Sequence, residues 1–238
     1  MSPASYSLDK QLSFNDFFSI QTKKEKLEAM HDVRSASSGI FLGSGFVLTA
    51  AHAVAKDENA KILYKDFVLE AEILVRLPEL DVMLLGLTDR KYIGEIPKIG
   101  FSDSRVEVGQ KLYGVGFPLP DKINFNSLFY EVTVSRLKID QKPKLFQFNG
   151  ELSQGCSGCS LVNDRCQIVG VAVRKAQKSK SSPDLPSDWN LGVKKEYFYD
   201  AIEKYIPYRS KSPCPRLSAE SIARRLSQVA VVVLGCGR

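Results

Sequence analysis

From Ser38 to Val173 the chain is a succession of short apolar runs, each closed by glycine, proline or a polar turn. Segments of this length are too short for packed helices and suit strands. The pattern predicts strands at Gly39–Leu42, Gly45–Thr49, Lys61–Tyr64, Phe67–Leu77 and Val82–Leu87. It predicts further strands at Lys111–Gly116, Phe129–Leu137, Leu145–Phe148, Leu161–Val162 and Ile168–Val173. About ten strands at this spacing point to an all-β barrel or sandwich. Helix is expected only over Thr22–His31, where Thr22 can cap, in the turn Ala51–Ala55, and over Lys195–Tyr205 and Ala219–Ser227. Residues 175–188 read as a polar loop and Arg209–Pro215 as a linker.

Charge and composition exclude several classes. The net charge of +6 is mild, and the basic clusters Lys23-Lys24, Arg174–Lys180 and Arg224-Arg225 do not interleave with aromatics. They read as solvated faces, so no nucleic-acid partner is expected. The longest apolar run, Val229–Leu234, is far short of the ~20 residues that cross a bilayer. Met1–Gln21 carries Asp9, Lys10 and Asp16 and lacks the apolar core of a secretory signal. Five cysteines cannot all pair within one chain. The expected compartment is therefore reducing and cytoplasmic, with unconventional secretion left open.

Three stretches carry chemistry. Gly155-Cys156-Ser157-Gly158-Cys159-Ser160 holds a serine between glycines at a tight turn. Taken alone, that is also what an ordinary turn looks like. His52 follows the apolar strand that ends at Thr49, whereas the other histidine, His31, sits where a helix C-terminus favours a cation. Asp81 stands at the mouth of the apolar run Val82–Leu85, where a carboxylate needs solvent or a partner, and an imidazole supplies one. The order His52, Asp81, Ser157, with separations of 29 and 76 residues, is one of the known chain orders of a serine triad.

These stretches resemble the trypsin-like (chymotrypsin-fold) serine peptidases, with the strongest likeness to the HtrA/Deg type. The likeness rests on Gly43–His52, Asp81–Leu85, Val108–Pro118, Gly155–Val162, Ile168–Val171 and Trp189–Val193, and it covers about residues 36–206. It implies two six-stranded antiparallel β-barrels with short flanking helices, the first over about 36–105 and the second over about 106–206. The domain would run from 36 to 208, after an extension at 1–35 and before a linker and tail at 209–238. Ser157 would be the nucleophile, His52 its general base and Asp81 the group that orients the imidazole. Backbone N–H groups of Gly155 and Ser157 would form the oxyanion hole. The substrates would be polypeptides, with no cofactor and no metal.

The sequence departs from the family beside the serine. Cys156 stands where Asp or Asn is usual, and Cys159 replaces the second of two glycines. A missing acid there implies activity without N-terminal processing. If residue 159 needs a positive φ, its Cβ would strain the oxyanion loop. The departure leaves an active endopeptidase and a catalytically inactive peptide-binding relative as the two readings. Cys156 and Cys159 also raise a regulatory disulfide, set against the plainer reading of small core residues. Glu151, six residues before the serine, would favour a basic P1 residue. Val171 and Ala172 would line a pocket for small aliphatic ones, which the HtrA-type resemblance favours. After Tyr208 only about 30 residues remain, where HtrA-type enzymes often continue into PDZ domains. Leu217–Leu234 looks like the helix and first strand that enter such a peptidase domain. It is expected to begin a second module, to add a strand to the first, or to fray as a tail. Left uncovered, its apolar run would be a self-association site.

Overall fold

The computed structural model describes residues 32–56, 58–65, 67–89, 96–118, 126–139, 144–150, 152–175, 190–206 and 215–237. The helix expected over Thr22–His31 and the residue Glu151 lie outside them.

The described residues form two closed antiparallel barrels. The first contains β1 (Val33–Gly43), β2 (Phe46–Thr49), β3 (Asn59–Tyr64), β4 (Phe67–Leu77) and β5 (Val82–Leu87). The second contains β6 (Lys111–Gly116), β7 (Leu128–Arg136), β8 (Leu145–Asn149), β9 (Ser160–Val162), β10 (Ile168–Lys175) and β11 (Asn190–Lys194). Its strands run around the wall in the order β10, β11, β8, β7, β6, β9. Register shifts at Ile73/Val75, Val134/Arg136 and Ala172/Arg174 mark bulges that let strands bend around a closed wall. Where a continuous helix was expected over Lys195–Tyr205, a short α-helix at Tyr199–Ile202 is flanked by 3₁₀ turns.

One continuous core runs through the first barrel and across to the second, joining Phe41, Leu48 and Leu84 to Ile168, Val193 and Phe198. A separate core inside the second barrel centres on the buried rings of Phe146 and Phe148. Burying each such aromatic side chain stabilises the fold by about 1.5–3 kcal/mol.

The sixth strand of the first barrel comes from the far end of the chain. β12 (Ala230–Cys236) lies between β1 and β3, pairing Ser38 with Val232 on one side and Leu63 with Val232 on the other. All seven of its residues are buried. This strand explains why β1 starts at Val33 rather than at Gly39. The polar residues Ser35, Ser37 and Ser38 are strand residues because β12 supplies them with a ladder partner. The same pairing covers the apolar run that would otherwise be a self-association site.

The segment leading to β12 spans the two barrels. Arg216 pairs with Asp164 at 3.0 Å, and the Leu217 N–H donates to the Asp164 carbonyl at 2.8 Å, both on the turn between β9 and β10. Ser218 then caps the helix Ala219–Ser227 by accepting from the Ser221 N–H at 3.2 Å. Ile222 and Leu226, four apart on one face, are fully buried. The helix packs against β6 of the second barrel. At its end the Tyr64 hydroxyl donates to the Gln228 carbonyl at 2.7 Å and the Phe41 N–H to the Val229 carbonyl at 2.9 Å, so the chain enters the first barrel in fixed register.

A charge placed in β12 should therefore unfold more than a tail. Val233→Asp, at a fully buried position, is expected to cost at least about 3 kcal/mol, the scale of an uncompensated buried charge. Arg225→Ala, at an exposed position of the preceding helix, should stay within about 0.5 kcal/mol. Denaturant unfolding of both variants checks this, and equal midpoints would contradict the barrel role of β12.

Candidate active site

The histidine and the aspartate are brought together by strand register. β2 pairs with β5, Thr49 opposite Met83, so the turn after β2 and the turn before β5 emerge side by side. Asp81 ends the turn that begins at Pro78, donating its N–H to the Pro78 carbonyl at 3.2 Å, and adopts a left-handed φ of 55° that aspartate tolerates. Its carbonyl accepts from the Ala51 N–H at 3.1 Å, and its Oδ1 accepts from the His52 N–H at 3.0 Å. The imidazole Nδ1 lies 2.7 Å from Oδ2 and 2.9 Å from Oδ1. A carboxylate accepts, so it is the Nδ1–H of the ring that donates to Asp81. The His52 side chain is 50% exposed and Asp81 28%, so the pair sits at the surface of the first barrel rather than in its core.

Arg76 clamps the turn that carries His52. From β4 its Nη1 donates to the Ala51 carbonyl at 3.2 Å, and its Nη2 donates to the Val54 carbonyl at 2.6 Å and the Ala55 carbonyl at 3.4 Å. This role was not read from the sequence. The signal was available, because Arg76 is the only cation in the run Phe67–Leu77.

The serine loop is built by the second barrel and pressed onto the first. Its backbone is tied to β10 on both sides of residue 158. The Gly158 N–H donates to the Ala172 carbonyl at 2.6 Å, and the Ala172 N–H donates to the Cys159 carbonyl at 2.9 Å. The Cys156 N–H reaches back to the Ser153 carbonyl at 3.2 Å, and the Cys159 N–H to the Cys156 carbonyl at 3.1 Å. The positive φ angles fall on Gly155 (95°) and Gly158 (87°), not on Cys159. The strain expected of a cysteine at 159 is therefore absent. Gly158 is the residue that cannot change. A Cβ there would collide with the Ser38 carbonyl oxygen and stand 2.5 Å from Thr49 Oγ1 and 2.8 Å from the Ala50 nitrogen.

That contact brings the serine loop against Thr49 and Ala50, the residues that lead into His52. The Ser157 carbonyl is held by the Ser38 N–H at 2.9 Å. Among the described residues, the Ser157 hydroxyl makes no hydrogen bond, and the N–H groups of Gly155 and Ser157 donate to no acceptor. The structure thus pairs His52 directly with Asp81 and sets the Ser157 loop beside their strand, without a Ser157–His52 hydrogen bond.

The flanking cysteines are core residues. Cys156 and Cys159 are thiols outside any disulfide, with no exposed surface, packed in the second barrel. Cys156 Sγ lies 2.8 Å from the Tyr130 hydroxyl. Burial, and then the neighbouring Cys156, push the Cys159 thiol well above its ordinary range, and burial with the Cys156 contact does the same to Tyr130. Both groups are neutral at physiological pH. Val171 is fully buried in the core shared with the first barrel, and Ala172 in that of the second.

Comparison with known proteins identifies the arrangement. The family model for the trypsin-like peptidase domain matches residues 37–171, more than half of the chain. No curated protein sequence matches it. Among solved structures, the active form of Rv3671c protease from M. tuberculosis superposes with a TM-score of 0.56 at 16% identity, covering 91% of this chain and 98% of that one. The inactive form of Rv3671c protease gives 0.55 at 18% identity, covering 76% and 92%. The serine endoprotease from Yersinia pestis gives 0.58 at 16% identity, covering 78% of this chain and 68% of that one. At these identities the solved structures establish the shared two-barrel fold, and the family model establishes membership. The chain belongs to the trypsin-like peptidase family and is a serine-type peptidase.

Proposed function

We propose that the protein is a serine endopeptidase that cleaves polypeptides through His52, Asp81 and Ser157. The observation that carries this reading is the 2.7 Å contact between His52 Nδ1 and Asp81 Oδ2, on the turn that follows Thr49 and Ala50, the residues Gly158 packs against. Nε2 takes the proton from Ser157 Oγ as the oxygen attacks the scissile carbonyl. The imidazolium then gives that proton to the leaving amine, and water repeats the sequence on the acyl-enzyme. Asp81 holds the imidazole in the required tautomer and stabilises its charged form.

The N–H groups of Gly155 and Ser157, which donate to no described residue, serve as the oxyanion hole. They meet charge that develops only in the transition state, so each is worth about 10²–10³ in rate. A catalytic serine and histidine form their hydrogen bond fully only when substrate is seated, which accommodates the unbonded Ser157 hydroxyl. That same unbonded hydroxyl favours, as the second reading, an inactive relative that grips peptides without cutting them.

For specificity we favour small or aliphatic P1 residues, as the family resemblance implies, over the basic residues that Glu151 would attract; Val171 and Ala172 are buried in the cores and do not themselves support the choice. Cleavage profiling with a peptide library separates the two preferences. That no disulfide joins Cys156, Cys159, Cys166 and Cys236 among the described residues supports a reducing compartment such as the cytoplasm.

A fluorophosphonate probe is expected to label the wild type and to lose its target in Ser157→Ala and His52→Ala, and an unlabelled wild type would favour the peptide-binding reading. Asp81→Asn should retain the fold and lose about 10⁴ in kcat. Arg76→Met, which removes a charged donor from three carbonyls of the His52 turn, should lower stability by about 1.5–3 kcal/mol and kcat together. Unchanged kcat in that variant would show that the turn holds itself.

A further inference from the structure

We propose that Ser38 is a positioning residue for the oxyanion loop, an inference that rests on the peptidase reading above. Ser38 lies on β1 of the first barrel and has no exposed surface. All of its polar atoms are used, and most of them reach the second barrel. Its N–H donates to the Ser157 carbonyl at 2.9 Å. Its hydroxyl donates to the Gly155 carbonyl at 2.9 Å and accepts from the Phe117 N–H at 2.8 Å. Its own carbonyl accepts from Thr49 Oγ1 at 2.7 Å.

The two carbonyls that Ser38 holds flank Cys156 and belong to the two residues whose N–H groups make the oxyanion hole. Gly155 sits at a φ of 95°, where glycine has wide freedom and no side chain to fix the adjoining peptide. The Ser38 hydroxyl supplies the missing anchor. It holds the carbonyl of residue 155 toward the first barrel, while among the described residues the 155 and 157 N–H groups donate to no acceptor. Oxyanion stabilisation depends on donors that are already oriented before charge develops. An unanchored loop would have to pay that reorganisation during the reaction.

β12 reinforces the anchor. It pairs with β1 at Ser38 itself, opposite Val232, so the strand from the chain end fixes the height of Ser38 against the loop. Thr49, which ties to the Ser38 carbonyl, is also one of the groups that Gly158 packs against. One residue thereby links the nucleophile loop, the strand that precedes His52 and the start of the loop after β6.

The experiment compares wild type, Ser38→Ala and Ser102→Ala by steady-state kinetics, fluorophosphonate labelling rate and affinity for a peptide aldehyde and for a product peptide. Ser102 is an equally buried serine whose hydroxyl accepts from the Ser104 N–H and Asn163 Nδ2, away from the serine loop. Ser38→Ala is expected to lower kcat at least tenfold with KM within about twofold, and to weaken the aldehyde in proportion while the product peptide binds as before. Ser102→Ala should lose stability and keep kcat. A Ser38→Ala enzyme with wild-type kcat and aldehyde affinity would overturn the positioning role alone. An unlabelled wild type would overturn the peptidase reading and this inference with it. Should Ser38→Ala fail to fold, Thr49→Val removes one tie to Ser38 and is expected to lower kcat and aldehyde affinity together, whereas unchanged values would overturn the role.

Discussion

Where the two barrels meet, the backbone at Gly158 comes closer to the first barrel than any side chain would permit. The Ser38 carbonyl, Thr49 Oγ1 and the Ala50 nitrogen occupy the space a Cβ would need. His52 and Asp81 belong to the first barrel and Ser157 to the second, so this contact brings the two halves of the candidate site together. The shared core from Phe41 to Phe198 supplies the cohesion between the barrels, but apolar packing has no direction. The directional part comes from hydrogen bonds of Ser38 and from the close approach at Gly158, which fix where the loop can sit.

The chain end enters this arrangement as a structural member. Residues 215–237 start on the second barrel at Asp164, pack a helix against β6 and finish between β1 and β3. Without β12 the two strands beside it would be open edges exposing unpaired N–H and C=O groups. Closing the wall in this way makes the first barrel depend on the most distant part of the sequence. Contacts of that span are costly to form early, since the loop entropy comes before the reward. The wall of the first barrel is therefore closed only when residues 230–236 are in place.

Much of this was legible in the residues. The run Val82–Leu87 is apolar at every position because β5 is buried along its whole length, and its bounds follow directly from the sequence. The pairing of His52 with Asp81 follows from a carboxylate at the mouth of that strand. What the sequence hid were polar residues in buried places. Ser37 and Ser38 look like loop yet lie inside the barrel wall, satisfied by the β12 ladder and by the serine loop. The pattern of Val229–Leu234 marks a strand but cannot name its partners, which lie about 170 and about 190 residues earlier. Cys159 raised a strain that the fold avoids by keeping the left-handed turn on the glycine before it.

The approach at Gly158 is the central contact of the structure, and a matched pair of glycine substitutions tests it. Gly158 and Gly109 have similar positive φ angles, 87° and 82°, so at each alanine meets a left-handed φ that L residues avoid, at a cost of about 1–2 kcal/mol. A Cβ at Gly109 would meet nothing within 4 Å, whereas at Gly158 it would strike the first barrel. Measuring kcat/KM for Gly158→Ala and Gly109→Ala at a temperature where both remain folded isolates the contact. Gly158→Ala is expected to lose at least about a hundredfold and Gly109→Ala to keep a near wild-type value; equal activities in the two variants would contradict the role of this contact.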